Sequence, residues 1–299
     1  MRVFVTGASG WVGSSVTRQL VARGHKVVGL ARSDKAAEAV IAAGGEPLRG
    51  ELTDLEILAT AAKAADGVAH CGFIHDFSNF RHSVEVDAKA IEALGDALAG
   101  SGKVLLTTSG TAGLSLGRPS TEEDAPSSAI YEGMGQRVSE QMGLKQHDKG
   151  VAGSCVRLPP TVHGAGDHGF IAALVGIARQ KGASGYVGDG HNVWSAVHRD
   201  DGAAVYVKAL ERGTGGVRYH GVAEQGVPFR DIATVIGEKL GLPVISVAEA
   251  EAEAHFGWMG RFAQFDVPAS SALTQQWLDW HPTGPTLMQD LQSGSYTNG

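Results

Sequence analysis

The opening stretch confines this chain more than any other feature. Arg2-Val3-Phe4-Val5-Thr6 reads as a short apolar strand, and it runs straight into Gly7-Ala8-Ser9-Gly10-Trp11-Val12-Gly13. Val12, Val16 and Leu20, spaced four apart, then mark one face of a helix that Gly24 is placed to end. A glycine pattern alone says little. Set between a strand and a helix, it describes a phosphate-binding turn. Gly7 permits the tight turn, Gly10 lets the backbone approach a pyrophosphate, and Gly13 lets helix and strand close up. The N–H groups of the first helical turn then face the anion. The alternative is an ordinary glycine-rich turn.

The alternation continues. Lys26–Ala31 (KVVGLA) is nearly continuous in apolar residues, as in strands covered on both faces. Ser33 or Asp34 can cap a helix ending at Gly44-Gly45. Residues 47–52 form a weak third strand, and Thr53 with Glu56 matches a capping box. Residues 67–71, 103–107 and 154–158 read as further strands. Between them, residues 83–99 form a helix with Val84, Ala88, Ile91, Leu94 and Leu98 on one face. Strands alternating with helices predict an α/β fold, a Rossmann doubly wound parallel sheet. After Pro159-Pro160 the pattern loosens. Residues 170–180 and Phe229–Leu240 are helical, while 193–197 and 217–220 are short strands. The expected division is a dinucleotide-binding domain over 1–162, with strands from about 191–222 returning to it. A smaller C-terminal substrate-binding lobe covers mainly 163–299, and 293–299 is expected to fray.

Composition narrows the function. Glycine, at 42 of 299 residues, is about 14%, twice the usual share, yet shows no Gly-X-Y period. Apolar residues at 43% against 19% charged supply a core. The net charge of −7 comes without a basic stripe, so no nucleic-acid partner is expected. No apolar run approaches the ~20 residues that cross a bilayer, so no membrane is expected either. Two cysteines, Cys71 and Cys155, and the absence of a signal-peptide pattern point to the cytoplasm. The expected partner is a small-molecule substrate, and a homodimer stays open.

At the end of the second strand, where an adenine ribose would lie, an NAD-selective chain places Asp or Glu. This chain has Leu30-Ala31-Arg32-Ser33. Arg32 can pair with a 2′-phosphate and Ser33 can add a hydroxyl, which favours NADP(H). The alternative is that Arg32 is a solvated residue leading a helix.

Further stretches carry a resemblance. Leu105-Leu106-Thr107-Thr108-Ser109-Gly110-Thr111, Arg157-Leu158-Pro159-Pro160-Thr161-Val162-His163-Gly164, Gly188-Asp189-Gly190 and Val197-His198-Arg199-Asp200-Asp201 resemble elements of the extended and atypical short-chain dehydrogenase/reductases, the superfamily of NAD(P)-dependent epimerases and reductases. The resemblance covers nearly the whole chain. It implies cofactor contacts from Gly7, Ser9, Gly10, Trp11, Val12 and Gly13 at the turn, and from Arg32 and Ser33 at the ribose. Leu52, after Glu51, would lie near the adenine. Cys71, Gly72 and Phe73 would line the diphosphate–ribose side, with Thr107 and Thr108 at the strand end. Pro160, Thr161 and Val162 would frame the nicotinamide. Ser109 would be the catalytic serine.

The departure lies in the catalytic tyrosine motif. The superfamily usually shows Tyr-x-x-x-Lys, in which lysine lowers the tyrosine pKa and holds the nicotinamide ribose. Here Tyr131 follows Ser109 at a family-like distance, but the fourth residue after it is Gly135. Lys145 and Lys149 are too far along to replace the lysine. A neutral tyrosine still suits reduction, which needs a donated proton. In a second reading the helix starts near Arg137, and Arg137 and Glu140 fill the space of the missing pair. Gly133 and Gly135 each cost a helix interior about 1 kcal/mol, which fits that later start.

Other polar groups are candidates. His75, in the loop after the fourth strand, could donate to a carbonyl; a structural loop histidine is the alternative. His163 and His168 match no standard metal spacing, so no metal is expected, and they read as substrate-lining or capping. Asp200 and Asp201 read as caps of the next helix. Trp194, Phe256, Trp258, Phe262 and Phe265 read mostly as core, as do Trp277 and Trp280. Three functions remain open: an NADPH-dependent reductase of a carbonyl or imine on a small apolar molecule, a sugar-nucleotide epimerase or dehydratase, and a non-catalytic NADP(H)-sensing regulator.

Overall fold

The computed structural model describes residues 1–76, 79–114, 117–126 and 138–297. The first half alternates strands and helices. It runs through β1 (Arg2–Thr6), α1 (Trp11–Ala22), β2 (Lys26–Ala31), α2 (Asp34–Ala42), β3 (Glu46–Arg49), α3 (Leu55–Ala64), β4 (Gly67–His70), α4 (Phe80–Leu98), β5 (Val104–Gly110), α5 (Ser139–Lys145) and β6 (Ala152–Leu158). The second half comprises β7 (Thr161–His163), α6 (Phe170–Lys181), β8 (Ser184–Val187), β9 (Val193–His198), α7 (Arg199–Arg212), β10 (Arg218–His220), β11 (Glu224–Pro228), α8 (Phe229–Leu240), β12 (Val244–Val247), α9 (Ala252–Phe256), α10 (Ala272–Leu278) and α11 (Leu287–Ser293).

Seven parallel strands make the central sheet in the order β10-β6-β5-β4-β1-β2-β3. It is a Rossmann sheet, and its order reverses between β1 and β4, where such folds place a ligand. Both faces are covered, which explains the continuous apolar strands. Val3, Val5 and Leu106 pack against Val16 and Leu20 of α1 and Val205 and Ala209 of α7. Phe4, Val68 and Leu105 point the other way, onto Leu58 of α3 and Leu94 and Leu98 of α4. The lobe has its own core, with Trp194 and Phe229 between α6 and α8.

Several expectations are corrected. The returning strand at 217–220 does join the sheet beside β6 as β10, but β9 does not. It sits between β11 and β7 in a separate three-stranded sheet. Its alternation explains why: Trp194 and Ala196 enter the lobe core, whereas Val197 faces the Rossmann core. The third strand ends at Arg49, earlier than expected, and Cys71 falls just past β4. The capping box at Thr53 is absent. Asp54 stands at the N-cap, and its carboxylate instead accepts the Glu51 N–H at 2.8 Å. Ile91, Leu94 and Leu98 of the expected α4 stripe are buried, but in the first turns Ser83, Val86, Asp87 and Ala90 are inside and Val84 and Ala88 only at the margin.

Asp200 and Asp201 do not cap α7; His198 does, its ring nitrogen accepting the Asp200 N–H. The carboxylates instead join parts of the molecule. Asp200 accepts from Ser15 (2.6 Å) and Arg18 (2.7 Å) on α1, and Asp201 accepts the N–H groups of Thr283 and Gly284. The tail is tied rather than frayed as far as Tyr296, whose hydroxyl donates to Asp167 at 2.9 Å. No described helix is long and apolar enough to cross a membrane.

Candidate functional site

The site is built first from missing side chains. Gly7 adopts φ +64°, a left-handed conformation that favours glycine. A Cβ on Gly7 would lie 2.7 Å from the Gly72 Cα, and one on Gly13 only 2.1 Å from the Gly7 carbonyl oxygen. The loops leaving β1 and β4 therefore touch backbone to backbone. Gly10 is the N-cap of α1 and offers no side-chain cap, while Ser9 and Gly10 are exposed at the crest of the turn. An uncapped, exposed helix start at the switch point fits a diphosphate. The Val12 and Gly13 N–H groups fall in that first turn. The Trp11 side chain ties two elements together. Its indole N–H donates to the Val162 carbonyl at 2.7 Å, and Arg199 lies 4.3 Å over its ring. It bolts α1 to β7.

The adenine end lies beyond β2. Arg32 is exposed and its guanidinium has no hydrogen-bonding or ionic partner among the described residues. The nearest acid in sequence, Asp34, is paired with Arg49 at the end of β3. Ser33 caps α2 by accepting the Ala36 N–H at 3.2 Å, which leaves its hydroxyl proton available to a ligand. Leu52 lies beside Gly72, where a Cβ would meet its Cδ2 at 3.2 Å. An exposed cation next to a hydroxyl, with the adjacent carboxylate already neutralised, suits a second phosphate.

The reaction end lies over β4, β5 and β6. Thr107 and Thr108 point inward. Thr107 donates to the Ser154 carbonyl at 3.4 Å, and Thr108 to the His70 carbonyl at 2.8 Å, with the Tyr206 hydroxyl 2.9 Å away. Only their backbone is left for a cofactor. Burial pushes the Cys71 thiol up to about 12, so it is a neutral wall and not a nucleophile. Ser109 is the next residue on the Thr107 face, at the strand end toward α5. Its cross-strand neighbour is Arg157. Phe73 and His75 stand edge to face in the loop after β4, with His75 exposed. Pro160, Thr161 and Val162 lead into β7. Tyr131, Gly135 and Arg137 lie outside the described residues.

Glu140 does not fill a catalytic vacancy. It accepts two bonds from the fully buried Arg157, Nε to Oε2 at 2.7 Å and Nη2 to Oε1 at 2.6 Å, and a third from Arg218 at 2.7 Å. Arg157 Nη2 also donates to the Asp124 carbonyl at 2.7 Å. The helix does begin near the expected point, at Ser139. His163 likewise neither lines a substrate nor caps. It is buried, with Nδ1 2.6 Å from Asp290 of α11, and burial holds its pKa below the usual value. His168 meets the Trp11 ring edge-on at 5.7 Å. Trp194, Phe256 and Trp280 are core, Phe262, Phe265 and Trp277 pack half-buried against it, and Trp258 is 52% exposed. Among the described residues no His, Cys, Asp and Glu group is arranged to hold a metal.

Sequence reasoning missed a set of buried groups, His70, Asp87, Ser139 and Asp290, together with the half-buried Tyr296. One signal was readable. Asp87 precedes Ala90, Ile91 and Leu94 at helical spacing, and a carboxylate on the core face of a helix requires partners.

The NAD dependent epimerase/dehydratase family matches residues 3–221. An uncharacterised protein of Schizosaccharomyces pombe is 49% identical over 99% of this chain and 100% of its own length. The 4-hydroxy-2-methyl-3-oxo-4-farnesyl-3,4-dihydroquinoline-1-oxide ketoreductase of Stigmatella aurantiaca is 30% identical over 90% of this chain and 84% of its own. Among solved structures, the dTDP-glucose 4,6-dehydratase DesIV of Streptomyces venezuelae, with NAD and TYD bound, superposes with a TM-score of 0.78 at 19% identity, covering 99% of this chain and 96% of that one.

Proposed function

The chain belongs to the NAD dependent epimerase/dehydratase family, and we propose that within it this protein is an NADPH-dependent reductase of a carbonyl on a small, apolar molecule. The observation that carries the reading is Arg32: an exposed guanidinium without a partner among the described residues, at the strand end where an acid would select NAD. The Stigmatella ketoreductase supports the class of reaction, a ketone on a farnesyl-bearing ring.

The residues present divide the work. Gly7, Gly10 and Gly13 admit the diphosphate to the start of α1, and Arg32 with Ser33 receives the 2′-phosphate. Bound NADPH supplies a hydride from C4 of its nicotinamide. Ser109 hydrogen-bonds the carbonyl oxygen and polarises the C=O bond. Tyr131 or His75 would donate the proton that the carbonyl oxygen takes up on reduction to the alcohol. The oxidising first step of an epimerase needs a strong base, and Gly135 in place of lysine deprives Tyr131 of the cation that would make it one.

The test is binding first and turnover second. Calorimetry should show NADPH bound more tightly than NADH, and Arg32→Ala should weaken NADPH by about tenfold to a hundredfold while leaving NADH unchanged. Loss of NADPH absorbance with apolar ketones and aldehydes should follow. Equal affinity for the two nucleotides sinks the NADP part of the reading. Tight NADPH binding without turnover on a broad panel favours a nucleotide-sensing protein instead.

A further inference from the structure

Beneath the diphosphate turn runs a chain of buried polar groups that nucleotide binding and hydride transfer leave unexplained. Thr6 ends β1, His70 ends β4, Asp87 lies on α4 and Ser139 opens α5; none is more than 1% exposed. The Gly72 N–H donates to Thr6 Oγ1 at 3.1 Å. Thr6 Oγ1 lies 2.8 Å from His70 Nδ1, and His70 Nε2 lies 3.0 Å from Asp87 Oδ1. The Ser139 hydroxyl donates to Asp87 Oδ2.

The directions of these bonds follow from one end. A carboxylate only accepts, so His70 carries its proton on Nε2. In the neutral ring Nδ1 is then a lone pair and takes the Thr6 hydroxyl proton. The Thr6 oxygen is left to accept from Gly72. With the proton on Nδ1 instead, a lone pair would face the carboxylate and the Thr6 proton would have no acceptor in the chain. A single polarity therefore runs from Asp87 to Gly72. Gly72 is also the residue on which Gly7 closes, too near for a Cβ.

We propose that Asp87 is a positioning residue for dinucleotide binding: it sets the His70 tautomer, which orients Thr6, which holds Gly72 against Gly7 and keeps the shape of the turn that receives the diphosphate. Its second oxygen ties the same turn to the start of α5. The inference rests on the dinucleotide reading of the turn given above.

Asp87→Leu tests it. The side chain is close to the carboxylate in size but accepts no proton, so nothing at this end sets the His70 tautomer. NADPH and NADH should weaken together, by about tenfold or more, because they share the diphosphate. Adenosine 2′-phosphate, which reaches Arg32 but has no diphosphate, should bind within about twofold of the wild type. A merely structural role would weaken all three. Thr6→Val should reproduce the loss and Thr6→Ser restore binding, which serves if Asp87→Leu does not fold. Nitrogen NMR of the wild-type protein should show His70 protonated on Nε2. An Nδ1-protonated ring, unchanged NADPH binding in Asp87→Leu, or a parallel loss of adenosine 2′-phosphate overturns the proposal. A wild-type protein that binds neither dinucleotide removes the dinucleotide reading itself, and this inference with it.

Discussion

The two sides of the crevice are held in shape by opposite means. On the nucleotide side, Gly7, Gly13 and Gly72 meet backbone to backbone, and the geometry exists because three side chains are absent. On the reaction side, shape comes from buried charge. Arg157 is saturated by Glu140 and by the Asp124 carbonyl, and His163 is held by Asp290. The first kind of structure fails by addition and the second by subtraction. Interior packing leaves no room for an extra atom against a carbonyl, and a buried ion left without its partner loses more than the pair contributed.

The largest effect on nucleotide binding is expected from addition. Gly13→Ala puts a methyl group 2.1 Å from the Gly7 carbonyl oxygen, so α1 must move off β1. Overpacking of this kind costs about 1–3 kcal/mol, and more where backbone must shift. Dinucleotide binding should become undetectable by calorimetry, with a lowered melting temperature. Retained NADPH affinity would show that the close approach is not what shapes the turn.

Subtraction comes next. Glu140→Ala leaves Arg157 buried without its carboxylate and should lower stability by about 3–5 kcal/mol, read from the urea midpoint. The nucleotide turn does not touch this pair, so NADPH affinity at a temperature where the variant is folded should stay within about twofold. An equal loss of affinity would mean that the two sides are not independently built, and would break the comparison.

The contrast also explains what could be read from the chain before its fold was known. Gly7, Gly10 and Gly13 lie within one turn of each other, and the strand and helix that give them meaning are their immediate neighbours. The position of Arg32 and Ser33 just past β2 could be read because a strand end fixes what lies beyond it. Nothing local announces that Arg157 meets Glu140, 17 residues away, or that His163 meets Asp290, 127 residues away. Glu140 therefore looked like a substitute for a missing catalytic group, and His163 like a pocket residue. Asp200 and Asp201 misled for the same reason. Their place near a helix start suggested caps, but their partners are Ser15, Arg18, Thr283 and Gly284. The strand β9 was sent to the wrong sheet because short apolar strands carry no label for their neighbour.

Acid should act on the charged side of the crevice. His220 donates from Nδ1 to the Ser270 carbonyl at 2.7 Å and accepts from Arg157 at 3.1 Å. Burial, then the Arg157 charge, pushes its pKa from 6.5 to about 3. Between those values the unfolded chain holds a proton that the folded chain does not, so stability falls as pH drops through the window and is fully present above it. At about pH 5 the loss from this group is about 2 kcal/mol. His163, also held low by burial, acts in the same sense; Asp167 and Glu224, raised by burial, act against it. Comparing the urea midpoints of the wild type and His220→Gln between about pH 7 and 5 isolates the His220 share. Parallel slopes would show that His220 takes up its proton alike in the folded and unfolded chains.

The smallest effect separates two duties of one hydroxyl on the nucleotide side. Ser33 accepts the Ala36 N–H as the cap of α2 and keeps its own proton free for a phosphate. Ser33→Ala removes both and should cost about 1 kcal/mol of stability, with a small loss of NADPH affinity. Ser33→Asp keeps the capping acceptor and suits the helix dipole, so its melting temperature should match the wild type. The same carboxylate would face the 2′-phosphate beside Arg32, so its NADPH affinity should fall below that of Ser33→Ala while NADH is untouched. If Ser33→Asp instead binds both nucleotides like the wild type, the second phosphate does not lie at this helix start, and Arg32 is only a solvated cation.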